Sequence, residues 1–361
     1  MATEPRRVPR LDTIYFYVTG SCNLRCRHCW IDPVTESHRS TLHLPWRELK
    51  PVFEGAKALG LRSVKLTGGE PFLHPDILEI LADLPAMGLG VRMETNGTLI
   101  GEREAKALKA ANVNFSISLD GPTPEIHDDL RNVPGSFEKT LKGMAACRAE
   151  GLRFQVICSL YRRNAELLPG MAAFAESHGA TSLKVNVITS MGRSDEMREH
   201  GELLSLPEVL EVRSRMPVPE NGFRIFFDLP PALLPLRDIV RNGVGTCGIL
   251  GILGILHNGH AGLCGVGEHI PELDFGDLRR VSIKEVWETH PTLVTLREKV
   301  PAGLQGICGR CIFRNACLGK CVANTFHAIG ELYGAFGTCT EAEELGLFPE
   351  KYVVEHRNVV A

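Results

Sequence analysis

The stretch "TIYFYVTGSCNLRCRHCW", residues 13–30, passes from an apolar run rich in β-branched and aromatic residues into a loop carrying Cys22, Cys26 and Cys29. The run predicts a strand, so the cysteines fall on the loop after the first strand. In an α/β barrel that loop lies at the carboxyl edge of the sheet, where such folds keep their chemistry. Three thiolates at C-x3-C-x2-C spacing can converge on one metal centre from a single loop. Three ligands to a 4Fe-4S cube leave one iron open to a substrate or cofactor. Three ligands plus a water also describe a catalytic zinc site, and the spacing alone leaves both readings open.

Whether the loop belongs to a barrel depends on the pattern of the next 160 or so residues. "SVKLT" (63–67), "GVRMET" (90–95), "VNFSISLD" (113–120), "FQVICSL" (154–160) and "SLKVNVI" (182–188) bring the strand candidates to six. Between them lie amphipathic helical patterns, "PWRELKPVFEGAKALG" (45–60) and "SFEKTLKGMAACRAEG" (136–151) among them, several closed by the glycine that commonly ends a helix. Units of this length suit right-handed crossovers between parallel strands. The expected fold class is therefore α/β, a partial (β/α)6 TIM-type barrel over residues 13–190 behind a short tail, 1–12. Past residue 190 the alternation stops. Residues 191–240 read as a polar, proline-punctuated bridge with one helix, 241–340 as a smaller region rich in Cys and Gly, and 341–361 as a short helix and tail docking against the barrel.

The chain has 361 residues, 44% of them hydrophobic, and a formal charge of -3, which fits a globular protein of one large or two modest domains and does not suggest nucleic acid. No apolar run approaches the roughly 20 residues of a membrane helix, and the first residues lack the pattern of a secretory signal. A cytoplasmic monomer with no membrane partner is expected. In that reducing compartment the twelve cysteines point to metal binding or catalysis rather than disulfides. Cys147, in a helical pattern, and Cys158, in a strand, read as core.

"KLTGGEPFLHP" (65–75) places Gly68 and Gly69 where a backbone must approach a ligand closely, with Glu70 beside them able to accept from an ammonium group. Taken alone, Asn96-Gly97 in "ETNGTL" (94–99) is an ordinary turn, and Ser118 in "ISLDGPTPEIHDDLR" (117–131) a strand hydroxyl. In this order behind the cysteine triad, the motifs resemble those of the radical S-adenosylmethionine (SAM) enzymes, over residues 13 to 190. The resemblance implies that Cys22, Cys26 and Cys29 hold a 4Fe-4S cluster whose open iron is chelated by the methionyl group of SAM. It further implies that His28 packs against adenine, that Gly69 and Glu70 meet the methionyl ammonium, that Ser118 and Arg131 contact the ribose and the methionyl carboxylate, and that Asn96 helps at the ribose edge. Arg131 stands one residue further from Ser118 than in the family's pattern.

The later cysteines run C-x11-G-x4-C from Cys247 through Gly259 to Cys264, then C-x2-C-x5-C-x3-C through Cys308, Cys311, Cys317 and Cys321, then Cys339. This resembles the SPASM extension of radical SAM enzymes, an α+β module with two auxiliary 4Fe-4S clusters. The resemblance implies one cluster on Cys308, Cys311, Cys317 and Cys339 and another on Cys247, Cys264 and Cys321, its fourth site open or filled by His257, His260, His269 or substrate. A zinc ribbon is the rival for these thiols.

As the resemblance implies, the protein is an oxidoreductase that cleaves SAM reductively to a 5'-deoxyadenosyl radical and oxidatively modifies a peptide or protein, as ribosomal-peptide and sulfatase maturases do. A low-potential donor such as flavodoxin or ferredoxin supplies the electron. A barrel starting near residue 13 leaves no room for the N-terminal winged recognition domain of many relatives, so a separate peptide-recognition protein, or direct binding, would serve. Asp228, in "FRIFFDLPPALLPLRD" (223–238), is a candidate proton acceptor, with an ion pair or a cap as the plainer reading. Haem, tetrapyrrole or other small-molecule synthesis is the alternative activity. An iron-sulfur electron carrier or zinc-binding protein is the alternative outside catalysis.

Overall fold

The computed structural model describes residues 8–31, 43–245, 247–265 and 270–354. One ten-stranded sheet runs through it. Its strands are β1 (Thr13–Thr19), β2 (Ser63–Gly68), β3 (Gly90–Thr95), β4 (Asn114–Ser118), β5 (Phe154–Leu160), β6 (Ser182–Val187), β7 (Arg224–Phe227), β8 (Ile252–Ile255), β9 (His260–Gly262) and β10 (Asp274–Asp277). Their spatial order is β10-β9-β8-β1-β2-β3-β4-β5-β6-β7. Strands β1 to β7 pair in parallel, as the βα alternation requires, and β8 joins β1 in parallel before β9 and β10 turn back antiparallel. The sheet therefore continues from the partial barrel into the cysteine-rich region.

The expected count of six strands is corrected on one point: the bridge supplies a seventh. "RIFF" (224–227) pairs Ile225 with Leu183 and Phe227 with Val185. Four residues after a proline-rich stretch are too short for periodicity to reveal, and the open edge of β6 is what recruits them. The segment "PEIHDDLR" forms a helix, α4 (Pro124–Arg131). Its proline sits in the first turn, where a missing N–H costs nothing.

Helices α1 (Trp46–Lys57), α2 (Ile77–Ala86), α3 (Glu102–Ala110), α5 (Ser136–Ala149) and α6 (Leu168–Ser177) cover one face of the sheet. Alternate strand residues point at them: Val64 and Leu66 of β2, Phe115 and Ile117 of β4, and Leu183 and Val185 of β6 are buried. Trp46 and Phe53 of α1 close on Phe16 of β1 with ring centroids 6.1 and 5.1 Å away, and the Trp46 indole N–H donates to Asp83 at 2.6 Å. Cys147 and Cys158 lie in this core.

The opposite face is polar. Thr13 meets Ser63 at 2.9 Å, Lys65 meets Glu94 at 2.7 Å, and Gln155 bridges Ser116 and Ser182. Most closed α/β barrels fill this space with branched apolar side chains. Here it stays a polar lumen, with the first cysteine loop at one rim.

The C-terminal segment departs from expectation. It docks on the cysteine-rich region: the N–H of Ile312 donates to the Tyr352 carbonyl at 2.9 Å, that of Val354 to the Arg310 carbonyl at 2.7 Å, and the rings of Phe313 and Tyr352 stand 5.0 Å apart. Backbone groups left over beside Cys311 are satisfied this way.

Candidate metal and cofactor site

Three neighbouring segments clamp the first cysteine loop. From β2, the N–H groups of Gly69 and Glu70 donate to the carbonyls of Thr19 and Ser21, both at 2.8 Å. A Cβ on Gly69 would stand 1.9 Å from the Ser21 oxygen, so only glycine allows this approach. From the C-terminal end of α4, the otherwise orphaned carbonyls of Arg131 and Leu130 accept the N–H groups of Arg25 and Arg27. Beyond β6, Arg193 N–H donates to the Cys29 carbonyl at 3.0 Å, and Gly192 packs where a Cβ would meet that oxygen at 2.9 Å.

The thiols themselves face donors. Cys22 Sγ receives the Leu24 N–H at 3.4 Å with Asn96 Nδ2 at 4.0 Å, and Cys26 Sγ receives an Arg131 N–H at 3.6 Å. Burial, with Glu70 and Cys26 nearby, pushes the Cys22 thiol up to about 12. Such a thiol ionises when a metal supplies the compensating charge. Among the described residues no three His, Cys, Asp or Glu side chains are placed to hold a single metal ion. The donor set, three thiols of one loop faced by N–H groups, fits an iron-sulfur cube.

Around this loop the structure sorts the anticipated cofactor residues. His28 is anchored at Nε2 by the Ser159 hydroxyl, 3.2 Å away, while its buried Nδ1 has no hydrogen-bond partner. Burial, reinforced by Arg131, pushes its pKa down to about 3, so the ring is neutral with one nitrogen open. Ser118 ends β4 half-buried. The Glu70 carboxylate is fully buried and accepts from Thr95 Oγ1 at 2.7 Å, Asn96 N–H at 2.8 Å and Phe72 N–H at 3.3 Å. It is a strut between the β2 and β3 loops, pushed up to about 7 by burial against the pull of these donors. One of its roughly four acceptor sites is left over.

One expectation changes, and another gains a partner. Asn96 was expected at the ribose edge. Its side chain is instead saturated by its own surroundings, Oδ1 accepting from Thr98 N and Oγ1 and Nδ2 donating to Asn23 and towards Cys22. An Asn96→Ala enzyme is therefore expected to lose about 1–3 kcal/mol of stability and to release iron faster, with little change in SAM affinity. Thermal unfolding, iron retention and isothermal calorimetry check this. Arg131, in turn, is held by a partner that sequence reasoning missed: Asp120, fully buried, takes its Nε at 2.6 Å and Nη2 at 3.0 Å. Asp120 also accepts Ser159 N–H at 2.9 Å. Two guanidinium N–H groups remain of five. An Asp-Gly pair signals a turn, and nothing in its spacing announces the ion pair.

In the cysteine-rich region, Cys308, Cys311, Cys317 and Cys339 line one small cavity, walled by Pro231, Ala232, Leu304, Phe313 and Phe348. Backbone N–H groups of Phe313 and Phe336 reach the sulfurs of Cys311 and Cys308 at 3.4 Å. Four thiols around an apolar cavity fit a four-thiolate cluster. Cys321 caps the helix Val322–Ile329, accepting Asn324 N–H at 3.4 Å, where the helix dipole favours a thiolate. Cys247 is pushed up to about 11 by burial and then by Cys321, and Tyr15, raised chiefly by burial, feels the charge of both Cys247 and Cys264. Cys264 approaches the barrel through glycines: a Cβ on Gly254 would meet its carbonyl at 2.2 Å, and one on Gly265 would enter the Tyr17 ring.

The candidate fourth ligands lie elsewhere in part. His260 is bonded to Asp274 at 2.8 Å, His257 packs its ring against Gly20 of the first loop, and His269 lies outside the described residues. Asp228, the candidate proton acceptor, is engaged by Lys320 at 2.5 Å and Lys184 at 3.6 Å. Burial would raise its carboxyl, but the two lysines more than offset that and hold it below the usual carboxylate range. The plainer ion-pair reading is the one realised, and a permanently ionised, doubly paired carboxylate is a poor general base.

Comparison with known proteins gives the family. The profile of the Radical SAM superfamily matches residues 16–175. The AdoMet-dependent heme synthase of Methanosarcina barkeri is 30% identical over 337 residues, 90% of this chain and 94% of that protein. The mycofactocin maturase MftC of Mycobacterium tuberculosis is 28% identical over 351 residues, 94% of this chain and 86% of that protein. Among solved structures, Streptococcus suis SuiB bound to its precursor peptide SuiA superposes with a TM-score of 0.68 at 15% identity, covering 92% of this chain and 76% of that one. No helix among the described residues is long and apolar enough to cross a membrane.

Proposed function

Because this chain belongs to the radical SAM superfamily, we propose that it is a peptide-modifying member with one SAM-binding 4Fe-4S cluster on Cys22, Cys26 and Cys29 and two auxiliary clusters. Bound together, the first cluster and SAM supply a 5'-deoxyadenosyl radical that removes a hydrogen atom from substrate. The chain's residues do the rest. Gly69 and the spare acceptor site of Glu70 receive the methionyl ammonium, the two remaining Arg131 N–H groups the carboxylate, Ser118 the ribose, and neutral His28 the adenine. Cys308, Cys311, Cys317 and Cys339 hold one auxiliary cluster, and Cys247, Cys264 and Cys321 the other.

The observation that carries the peptide reading is Asn186. It faces the lumen with Lys184, opposite Ser159 in the β5–β6 register, and the adjacent Asp228 N–H is bonded to Val185. Its buried Oδ1 has no hydrogen-bond partner. An unsatisfied amide oxygen beside Ser159, which anchors His28, calls for a donor, and the N–H of a peptide group supplies one. SuiB, which binds a precursor peptide, and the maturase MftC support the same class. The second reading, conversion of an iron tetrapyrrole, is favoured by the heme synthases that resemble the chain over 90% of its length; a ring carrying propionates presents acceptors only.

The enzyme works in the cytoplasm with flavodoxin or ferredoxin as donor, and a separate recognition protein, or direct binding, delivers the peptide. Anaerobic reconstitution followed by dithionite and SAM tests this. Expected are 5'-deoxyadenosine and a mass change in a peptide encoded beside the gene. A change in an iron tetrapyrrole with every such peptide untouched would overturn the peptide half, and absence of 5'-deoxyadenosine would overturn the whole.

A further inference from the structure

Cys317 and Cys321 belong to different thiol sets, yet only three residues separate them, and all three are left-handed: Leu318 at φ 56°, Gly319 at 79° and Lys320 at 61°. Two of these are not glycine, and such a run is rare for residues with a Cβ. It reverses the chain between the two sets, with Lys320 N–H bonded to the Cys317 carbonyl at 3.1 Å. The Lys320 side chain, 15% exposed, crosses to the end of β7 and pairs with Asp228 at 2.5 Å. Asp228 already has Lys184 at 3.6 Å. Lys184 also acts on Glu94, which Lys65 pairs at 2.7 Å, so three ammonium groups face the two carboxylates. The Lys320 charge favours the thiolate at Cys247, Cys317 and Cys321, thiols drawn from both sets, and Asp228 opposes it at Cys247 and Cys321. An oxidised 4Fe-4S cube carries two positive charges, so four thiolates give its site a net charge of about -2 and three about -1, and reduction adds another negative charge.

We propose that Lys320 is a positioning residue that sets the reduction potentials of both auxiliary centres together, its single charge favouring the reduced form of each, while Asp228 fixes where that charge stands. This rests on the auxiliary clusters of the function proposed above. A lysine in a strained backbone conformation between two metal sites, tied to a third element by an ion pair, has no need to be there for packing alone.

The test uses the full chain, reconstituted anaerobically, with Cys22, Cys26 and Cys29 replaced by alanine so that only auxiliary signals remain. Potentials are read by EPR-monitored titration with dithionite, without substrate. Lys320→Met is expected to move both auxiliary centres to more negative potential, Lys320→Arg to leave them near the parent values, and Asp228→Asn to move them the opposite way from Lys320→Met. Unchanged potentials in Lys320→Met and Asp228→Asn with iron retained would overturn the proposal. Should Lys320→Met lose its iron, recovery in Lys320→Arg supports a requirement for charge, and failure to recover overturns it. A parent protein that binds no iron after removal of the triad would instead refute the auxiliary clusters themselves.

Discussion

A Cys26→Ala enzyme is expected to release no measurable 5'-deoxyadenosine, a fall of at least ~10³-fold, equivalent to about 4 kcal/mol of transition-state stabilisation, while retaining the iron of the later cysteines. Three sulfurs on one loop are the only protein anchors this cube has in the proposed arrangement, and two do not hold it against loss to solvent. Cys26 is also the sulfur that the Arg131 guanidinium faces at 3.6 Å, so alanine leaves that buried N–H without its acceptor. Iron and acid-labile sulfide are expected to fall by about four each per chain. Cys158→Ser is the control. That thiol is fully buried in the core 3.6 Å from the Asp120 carbonyl, so its replacement alters stability without removing iron. Equal loss of iron in both variants, or retention of 5'-deoxyadenosine release in Cys26→Ala, would end the assignment.

The contrast between Cys26 and Asn96 indicates what a sequence exposes. Thiols at C-x3-C-x2-C spacing carry their chemistry in residue type and interval, so the triad and the C-x2-C-x5-C-x3-C run are readable without coordinates. The parallel sheet is equally legible, because β2, β4 and β6 are long enough to display apolar residues facing the helices. An amide such as Asn96 has no such signature. Its four hydrogen-bonding positions could go to a ligand or to its neighbours, and only the placement of Asn23 and Thr98, brought from a different loop and from two residues on, decides it for the neighbours. Strand β7 escaped for a related reason, since four residues carry too little pattern and owe their conformation to the free edge of β6. Lys320 and Asp228 are 92 residues apart and meet only because the cysteine-rich region folds back across the end of the barrel.

The Asp120–Arg131 pair provides the second large effect and separates a structural arginine from a ligand-binding one. Arg131→Met removes the partner of a fully buried carboxylate whose ring of donors includes Ser159 N–H, and breaking a buried pair from one side costs about 3–5 kcal/mol. Removing both charges in Asp120→Asn with Arg131→Met is expected to recover much of that loss, since the uncompensated charge disappears with its partner. The pH dependence follows from Asp120. Burial alone would raise its pKa, but Arg131 and His127 more than offset that and hold it below the ordinary carboxylate value of about 3.9. A depressed folded-state pKa contributes stability that is complete above the unfolded value and is lost as pH falls through the folded one. In Arg131→Met the same carboxyl is buried without compensation, so its folded pKa rises and acid relieves it. The stability gap between wild type and Arg131→Met is therefore largest near neutrality, narrows as pH falls through the raised pKa of the mutant carboxyl and closes further below about 4, where the wild-type contribution is lost, measured by urea denaturation of the metal-free chain. Affinity for SAM separates the roles. If the two spare guanidinium N–H groups hold the methionyl carboxylate, Arg131→Met with Asp120→Asn regains stability but still binds SAM at least ~10-fold more weakly, the loss of a charge-assisted hydrogen bond of about 1.5–3 kcal/mol. Recovery of SAM affinity together with stability would assign Arg131 to the architecture of the loop alone.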